Sequence, residues 1–167
     1  NARNEINRLP LNEEQLLEQT GSPGIWGENE YTPAERIGAR PTLEVNGIQS
    51  GYTGEGTKTI IPSSAMAKIT TRLVPNQDPD KIAQCIYKYL ENSVPKSARW
   101  SLVCHGGSHA AIIDPELPAI NLFANALQTV WGVRPIFKRE GGSIPVVGEM
   151  KRVLGIDSVL SGFGLPE

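Results

Sequence analysis

Cysteine is scarce: Cys85 and Cys104 are the two thiols in 167 residues. No CxxC spacing joins them, so neither a zinc ribbon nor a dithiol redox motif is encoded. Small disulfide frameworks carry more cysteines. Both are therefore expected as buried thiols of a reducing compartment, with a bridge between them left open. An excess of one charge sign is also lacking, with 16 Lys and Arg against 18 Asp and Glu and a net charge of −2. No basic field exists to hold a nucleic-acid backbone. No apolar run approaches the roughly 18 residues that span a bilayer, so no membrane partner is expected. No secretory leader pattern is visible, which points to a cytoplasmic protein. The chain opens Asn1-Ala2 without an initiator Met. Those residues read as the remnant of a cleaved tag, so the chain is expected to be an excised piece of a longer protein. No internal repeat or low-complexity tract is present.

Turn formers, by contrast, are abundant. The 17 glycines and 13 prolines exceed their usual joint share of about 12%. That composition excludes a helical bundle or coiled coil and predicts many turns and interrupted strands. Hydrophobic residues make up 39% and charged residues 20%, enough apolar content for a core. The length suits one domain, or one domain and part of another.

Helix signals come first along the chain. Asn12 can cap a helix carrying Glu13, Glu14, Leu16 and Leu17 that stops near Gly21. Thr32-Pro33-Ala34-Glu35 reads as a capping box with Pro in the first turn. A strand over Thr42–Gln49 breaks at Gly47. Ala65, Ala67, Ile69, Thr71 and Leu73 then alternate with Met66, Lys68, Thr70 and Arg72. That period of two predicts a strand with one packed and one wetter face, Arg72 on the latter. Asp78-Pro79 opens a helix whose stripe holds Ile82, Ile86, Tyr89 and Leu90, with Cys85 beside it, closed by Pro95. Trp100, Leu102 and Cys104 form the apolar face of a further strand. Strand, helix and strand over residues 64–105 predict an α+β arrangement, a mostly antiparallel sheet with helices on one face. After Asp114-Pro115 the rhythm becomes helix (Pro118–Trp131), strand (Pro135–Lys138), helix (Pro145–Leu154) and strand (Val159, Leu160), as in an α/β domain. About 50 residues are too few for an independent doubly wound sheet, and a boundary is placed near residue 113.

Each candidate site has two readings. Gly51–Thr59, GYTGEGTKT, misses the Walker spacing because Thr57 follows Gly56, with Lys58 one place late and a strand next. No helix N-terminus is available there for phosphate, and a glycine-rich link is the plainer reading. Glu13-Glu14 is either a pair of acid/base carboxylates or, the plainer reading, a first helical turn that complements the helix dipole. His105 and His109 flank two glycines and lack a third zinc ligand, so a turn is expected. Gly141-Gly142-Ser143 is either an anion-facing turn beside Lys138 and Arg139 or a tight turn with Ser143 as helix cap. Arg72 is either a solvated residue or a fork for a carboxylate.

The strings ARPTLEVNGI, GYTGEGTKTIIP, KITTRLVPNQDP and FKREGGSIPVV, in this order, resemble the metal-dependent exopeptidases that include carnosinases, dipeptidases, aminoacylases and glutamate carboxypeptidase. The dipeptidase branch fits best, from about Arg40 to Glu167. The resemblance implies a lid, or dimerisation, domain over residues 1–112, and a fragment of the catalytic domain over 113–167. The lid would be ferredoxin-like and incomplete, and the fragment α/β. It implies that Arg72 grips the substrate's terminal carboxylate. Thr59 would reach toward substrate in the neighbouring subunit's active site. Ser143, on a turn made by Gly141 and Gly142, would contact substrate. The complete enzyme would carry two zinc ions, or manganese, and form a homodimer that hydrolyses small peptides. The family's His-x-Asp pair is missing here, and Glu13-Glu14 is not the family's Glu-Glu pair. The late His would follow GFGLPE, and the lid's first strand and helix would precede residue 1. By resemblance, therefore, this piece carries no catalytic residue, binds no catalytic metal and hydrolyses nothing alone. Two other functions fit the same residues, an N-acyl amino acid deacylase of the same family and a stand-alone self-association module.

Overall fold

The structure, a computed structural model, describes residues 2–140 and 144–162. The chain divides into two compact units, Pro41–Arg72 and the remainder on either side of it.

The larger unit is helical. Helix α1 is Ala2–Ile6, α2 is Glu13–Thr20 and α3 is Pro33–Ala39. Asn12 caps α2, its Oδ1 accepting from Gln15 N at 2.9 Å, while the Gln15 side chain accepts from Asn12 N at 3.2 Å. The same reciprocal box opens α3. Thr32 Oγ1 accepts from Glu35 N at 3.3 Å, and Glu35 Oε2 accepts from Thr32 N at 2.8 Å. These bonds satisfy N–H groups that a helix start leaves orphaned. Glu35 is buried at 3% exposure, and its charge is matched by Arg3 Nε of α1 at 2.6 Å. Helix α4 covers Pro79–Ser93, with Asp78 Oδ1 accepting from Lys81 N at 3.0 Å. Helix α5 is Pro118–Trp131 and α6 is Pro145–Leu154, each stopped by a left-handed glycine. Ile6, Ala34, Ile120, Ala124 and Val147 are the buried hydrophobic residues among those described.

The smaller unit is an antiparallel hairpin of β1, Thr42–Ser50, and β2, Ala65–Arg72. Pairing runs from Thr42↔Arg72 at one end to Ser50↔Ala65 at the other. Between Val45 and Gly47 the register shifts, so the break expected at Gly47 is a bulge that holds Asn46 out of the ladder. Asn46 Nδ2 donates to Thr70 Oγ1 at 2.9 Å across that point.

The architecture is α+β, a two-stranded antiparallel sheet with six helices among the described residues. Three further strands were expected. Residues 100–104, 135–138 and 159–160 form no ladder. Alternation fits a residue run to a sheet, but ladder bonds need a neighbouring strand, and none of these runs has one among the described residues. The strand face expected to pack is likewise open. Ala65, Ala67 and Ile69 are exposed, and Thr71 is half-buried. The thiols also depart from expectation, since Cys85 and Cys104 are exposed and unbridged. Ile82, Ile86 and Leu90 form the half-buried stripe of α4. Cys85 lies off that stripe and Tyr89 is 70% exposed.

Candidate functional site

Two of the candidate residues lie on the hairpin unit. Arg72 closes β2 opposite Thr42, at the base of the ladder, with its side chain exposed. Thr59 lies in the 51–64 segment that joins the other ends of the strands. From Ala65 to Arg72, at about 3.4 Å per residue, the ladder is about 24 Å long. Arg72 and the segment that carries Thr59 thus lie at opposite ends of the ladder.

The 51–64 segment has internal order. Ile60 N donates to Lys58 O at 3.0 Å, a three-residue turn with Thr59 at its centre. Lys58 Nζ stands 5.3 Å from the centre of the Tyr52 ring, within reach of a cation–π attraction. Tyr52 Oη donates to Glu55 O at 3.2 Å. The Tyr52 ring lies against Gly54, where an added Cβ would overlap it, so the glycine leaves room for the aromatic ring. A strand follows this segment, with no helix start to receive phosphate. Tyr52 and Lys58 were missed as partners in sequence, because a contact between residues six apart in a glycine-rich run has no period to betray it.

Gly141, Gly142 and Ser143 lie outside the described residues. The chain approaching them is described. Lys138 Nζ pairs with Glu140 Oε1 at 3.2 Å. Arg139 passes α3 so closely that a Cβ on Gly38 would meet Arg139 O at 2.7 Å. The helix after them, α6, meets residues 109–112 at a recess of about 370 Å³ lined by His109, Ile112, Glu149 and Lys151 among others. Lys151 Nζ donates to Ile112 O at 2.8 Å. The Arg152 guanidinium, hydrogen-bonded to Glu149, holds that carboxyl below its usual value.

Ion pairs are found in the larger unit. Glu28 accepts from Arg40 Nε and Nη2, both at 2.6 Å, and this fork holds its carboxyl below the usual range. The Arg40 guanidinium also lies 4.3 Å from the Tyr31 ring centre. Glu35 is held low first by the Thr32 backbone N–H and then by Arg3. Among the described residues, no group of three or more His, Cys, Asp or Glu could hold a metal ion. No helix among them is long and apolar enough to cross a membrane.

Comparison with known proteins gives one family and several relatives. Residues 4–98 match the family model of the peptidase dimerisation domain. The chain is 30% identical over 156 residues to the Cys-Gly metallodipeptidase of Candida albicans, covering 90% of this chain and 32% of that protein. Among solved structures it is similar to an M20 family metallo-carboxypeptidase from Sulfolobus solfataricus, with a TM-score of 0.79 and 28% identity, over 92% of this chain and 34% of the other. It is also similar to the di-peptidase Dug1p of Saccharomyces cerevisiae, with a TM-score of 0.70 and 25% identity, over 93% and 33%. The chain thus spans about a third of the length of the curated relative and the two structures.

Proposed function

The chain belongs to the peptidase dimerisation-domain family of metal-dependent exopeptidases, and on that premise we propose that it is the lid region of a cytoplasmic, homodimeric dipeptidase. Residues 1–112 are the later part of the lid and residues 113–167 a return into the catalytic domain. The observation that carries the reading is the 30% identity to a Cys-Gly metallodipeptidase across nearly the whole chain. Exposed free thiols at Cys85 and Cys104 suit the reducing compartment.

Two zinc or manganese ions serve the complete enzyme, where they supply Lewis-acid chemistry. The described residues do not fit such a centre, since they contain no ligand cluster. What this chain contributes is orientation. The Arg72 guanidinium presents a planar fork that matches a substrate carboxylate with two parallel hydrogen bonds. The Thr59 hydroxyl, at the centre of its turn, is a donor to a substrate oxygen. Ser143, with the backbone N–H groups of Gly141 and Gly142, is a second donor set. The placement of Arg72 at one end of the ladder and of the Thr59 segment beyond the other supports their service in two different active sites of a dimer, Arg72 in its own subunit's and Thr59 in the partner's. Holding the substrate at both ends lowers the barrier by removing its orientational freedom before reaction.

The test uses the complete protein. Dipeptides and N-acetyl amino acids are offered with zinc or manganese, then with a chelator. Dipeptide cleavage that the chelator abolishes is expected, and Arg72→Ala is expected to lower kcat/KM by about a hundredfold, the loss of a charge-assisted bidentate contact. Cleavage of acetylated amino acids alone would make the protein a deacylase. Cleavage of neither would leave a self-association module.

A further inference from the structure

Thr59 sits in a 51–64 segment with no strand or helix of its own. A hydroxyl that must meet a substrate within tenths of an ångström cannot depend on so loose a link, because small misplacements are costly in rate. Something in the segment has to hold the turn. Two side chains are built for it. The Tyr52 ring lies over Gly54, and its hydroxyl donates to Glu55 O at 3.2 Å. Lys58, whose carbonyl accepts the Ile60 N–H that closes the turn, puts its ammonium 5.3 Å from the Tyr52 ring centre. The ring therefore ties the start of the segment to the residue next to Thr59. At the segment's mouth, Ser50 Oγ donates to Ser64 O at 3.4 Å. Between these ties Ile61 stands 95% exposed, so apolar burial does not hold this stretch in place.

We infer that Tyr52, clamped by Lys58, is the positioning residue for Thr59. This rests on the substrate role proposed for Thr59. It adds that the GYTG and TKT portions of the segment act as one unit, although the contact between them is made by side chains that never touch substrate.

Two experiments separate this inference from the reading beneath it. The first needs no activity. In the 167-residue chain, the Lys58 ε-methylene protons should be shifted upfield by the Tyr52 ring current. The Ile60 amide should show the low temperature coefficient of a hydrogen-bonded group. Tyr52→Leu should abolish both signatures, and Tyr52→Phe should keep them. Wild-type protein without the upfield shift, or Tyr52→Leu with an unchanged Ile60 amide, overturns the clamp. The second uses the complete enzyme with a dipeptide. Tyr52→Leu is expected to lower kcat/KM at least tenfold, by roughly the cost of a misplaced contact, with the same division between kcat and KM as Thr59→Ala. Tyr52→Phe, which loses one hydrogen bond, is expected to stay within about fivefold of wild type. In a Thr59→Ala background, Tyr52→Leu should cost almost nothing more. A folding defect would instead lower the rate equally in both backgrounds, and that additive result overturns the inference. An unchanged rate in Thr59→Ala itself overturns the substrate role of Thr59, while the Lys58 shift still decides the clamp.

Discussion

At the scale of single residues, the buried carboxylate of Glu35 ties α3 to α1. It closes the α3 capping box and receives Arg3 from α1. Its folded-state pKa is lowered from the ordinary 4.5, as is that of Glu28 beside Arg40. A carboxyl depressed on folding contributes stability that is present above its unfolded value and is lost as pH falls through the folded one. The N-terminal helices should therefore melt more readily as pH drops below about 4.5, while neutral and mildly basic conditions leave them unchanged. Melting temperature followed against pH should show this acid slope in wild type and a shallower one in Glu35→Gln. Equal slopes would mean that the carboxylate is not linked to folding. The same scale explains why Arg72 was ambiguous. Alternation places it on a face, and only the resemblance assigns it a substrate.

At the scale of elements, α3 passes close to the chain at Arg139. With Arg139 O 2.7 Å from where a Gly38 Cβ would sit, Gly38→Ala must push backbone against backbone. A cost of about 1–3 kcal/mol is expected, as for overpacking in general, and would appear as a lower denaturant midpoint. A midpoint at or above wild type would show that the two segments separate freely. Helix starts were legible in sequence because their signals are local. Asn12, Thr32 with Glu35, and Asp78 each bond N–H groups three residues away, so a short window contains the whole interaction. The strands β1 and β2 were each legible for the same reason, their period being carried by each strand alone, but their pairing with one another was not. Helix α1 went unread, since five residues give less than two turns of pattern. Trp100, Leu102 and Cys104 alternate properly but have no ladder partner among the described residues, and no local rule supplies one. Burial was the least legible property, as the exposed Cys85 and Cys104 show. It depends on what lies opposite a face, and that is never written in the face itself.

At the scale of the whole molecule, the chain corresponds to about a third of its relatives, and its surface suits a part. Leu122 and Val130 on α5 are 71% and 72% exposed, and Val153 and Leu154 on α6 are 62% and 61%. In the proposed enzyme these helices belong to the catalytic domain. The candidate site was legible only in pieces, because its residues are far apart in sequence, at 59, 72 and 141–143, and no local pattern joins them. The placement of Arg72 at one end of the ladder and of the Thr59 segment at the other, joined to the roles proposed for them, has a consequence for inheritance as well as for catalysis. Suppose a cell makes two copies of the gene, one bearing Arg72→Ala and the other Thr59→Ala. Each homodimer has two damaged sites. On the proposed reading, in which each subunit lends its Thr59 to the other, a mixed dimer has one site with both lesions and one with neither. Two inactive alleles should thus complement, and random pairing should restore about a quarter of full activity, since half the dimers are mixed and each carries one intact site. A strain carrying both lesions on a single gene copy beside a normal one should also retain activity, but only through its normal homodimers, because in its mixed dimers each site keeps one lesion.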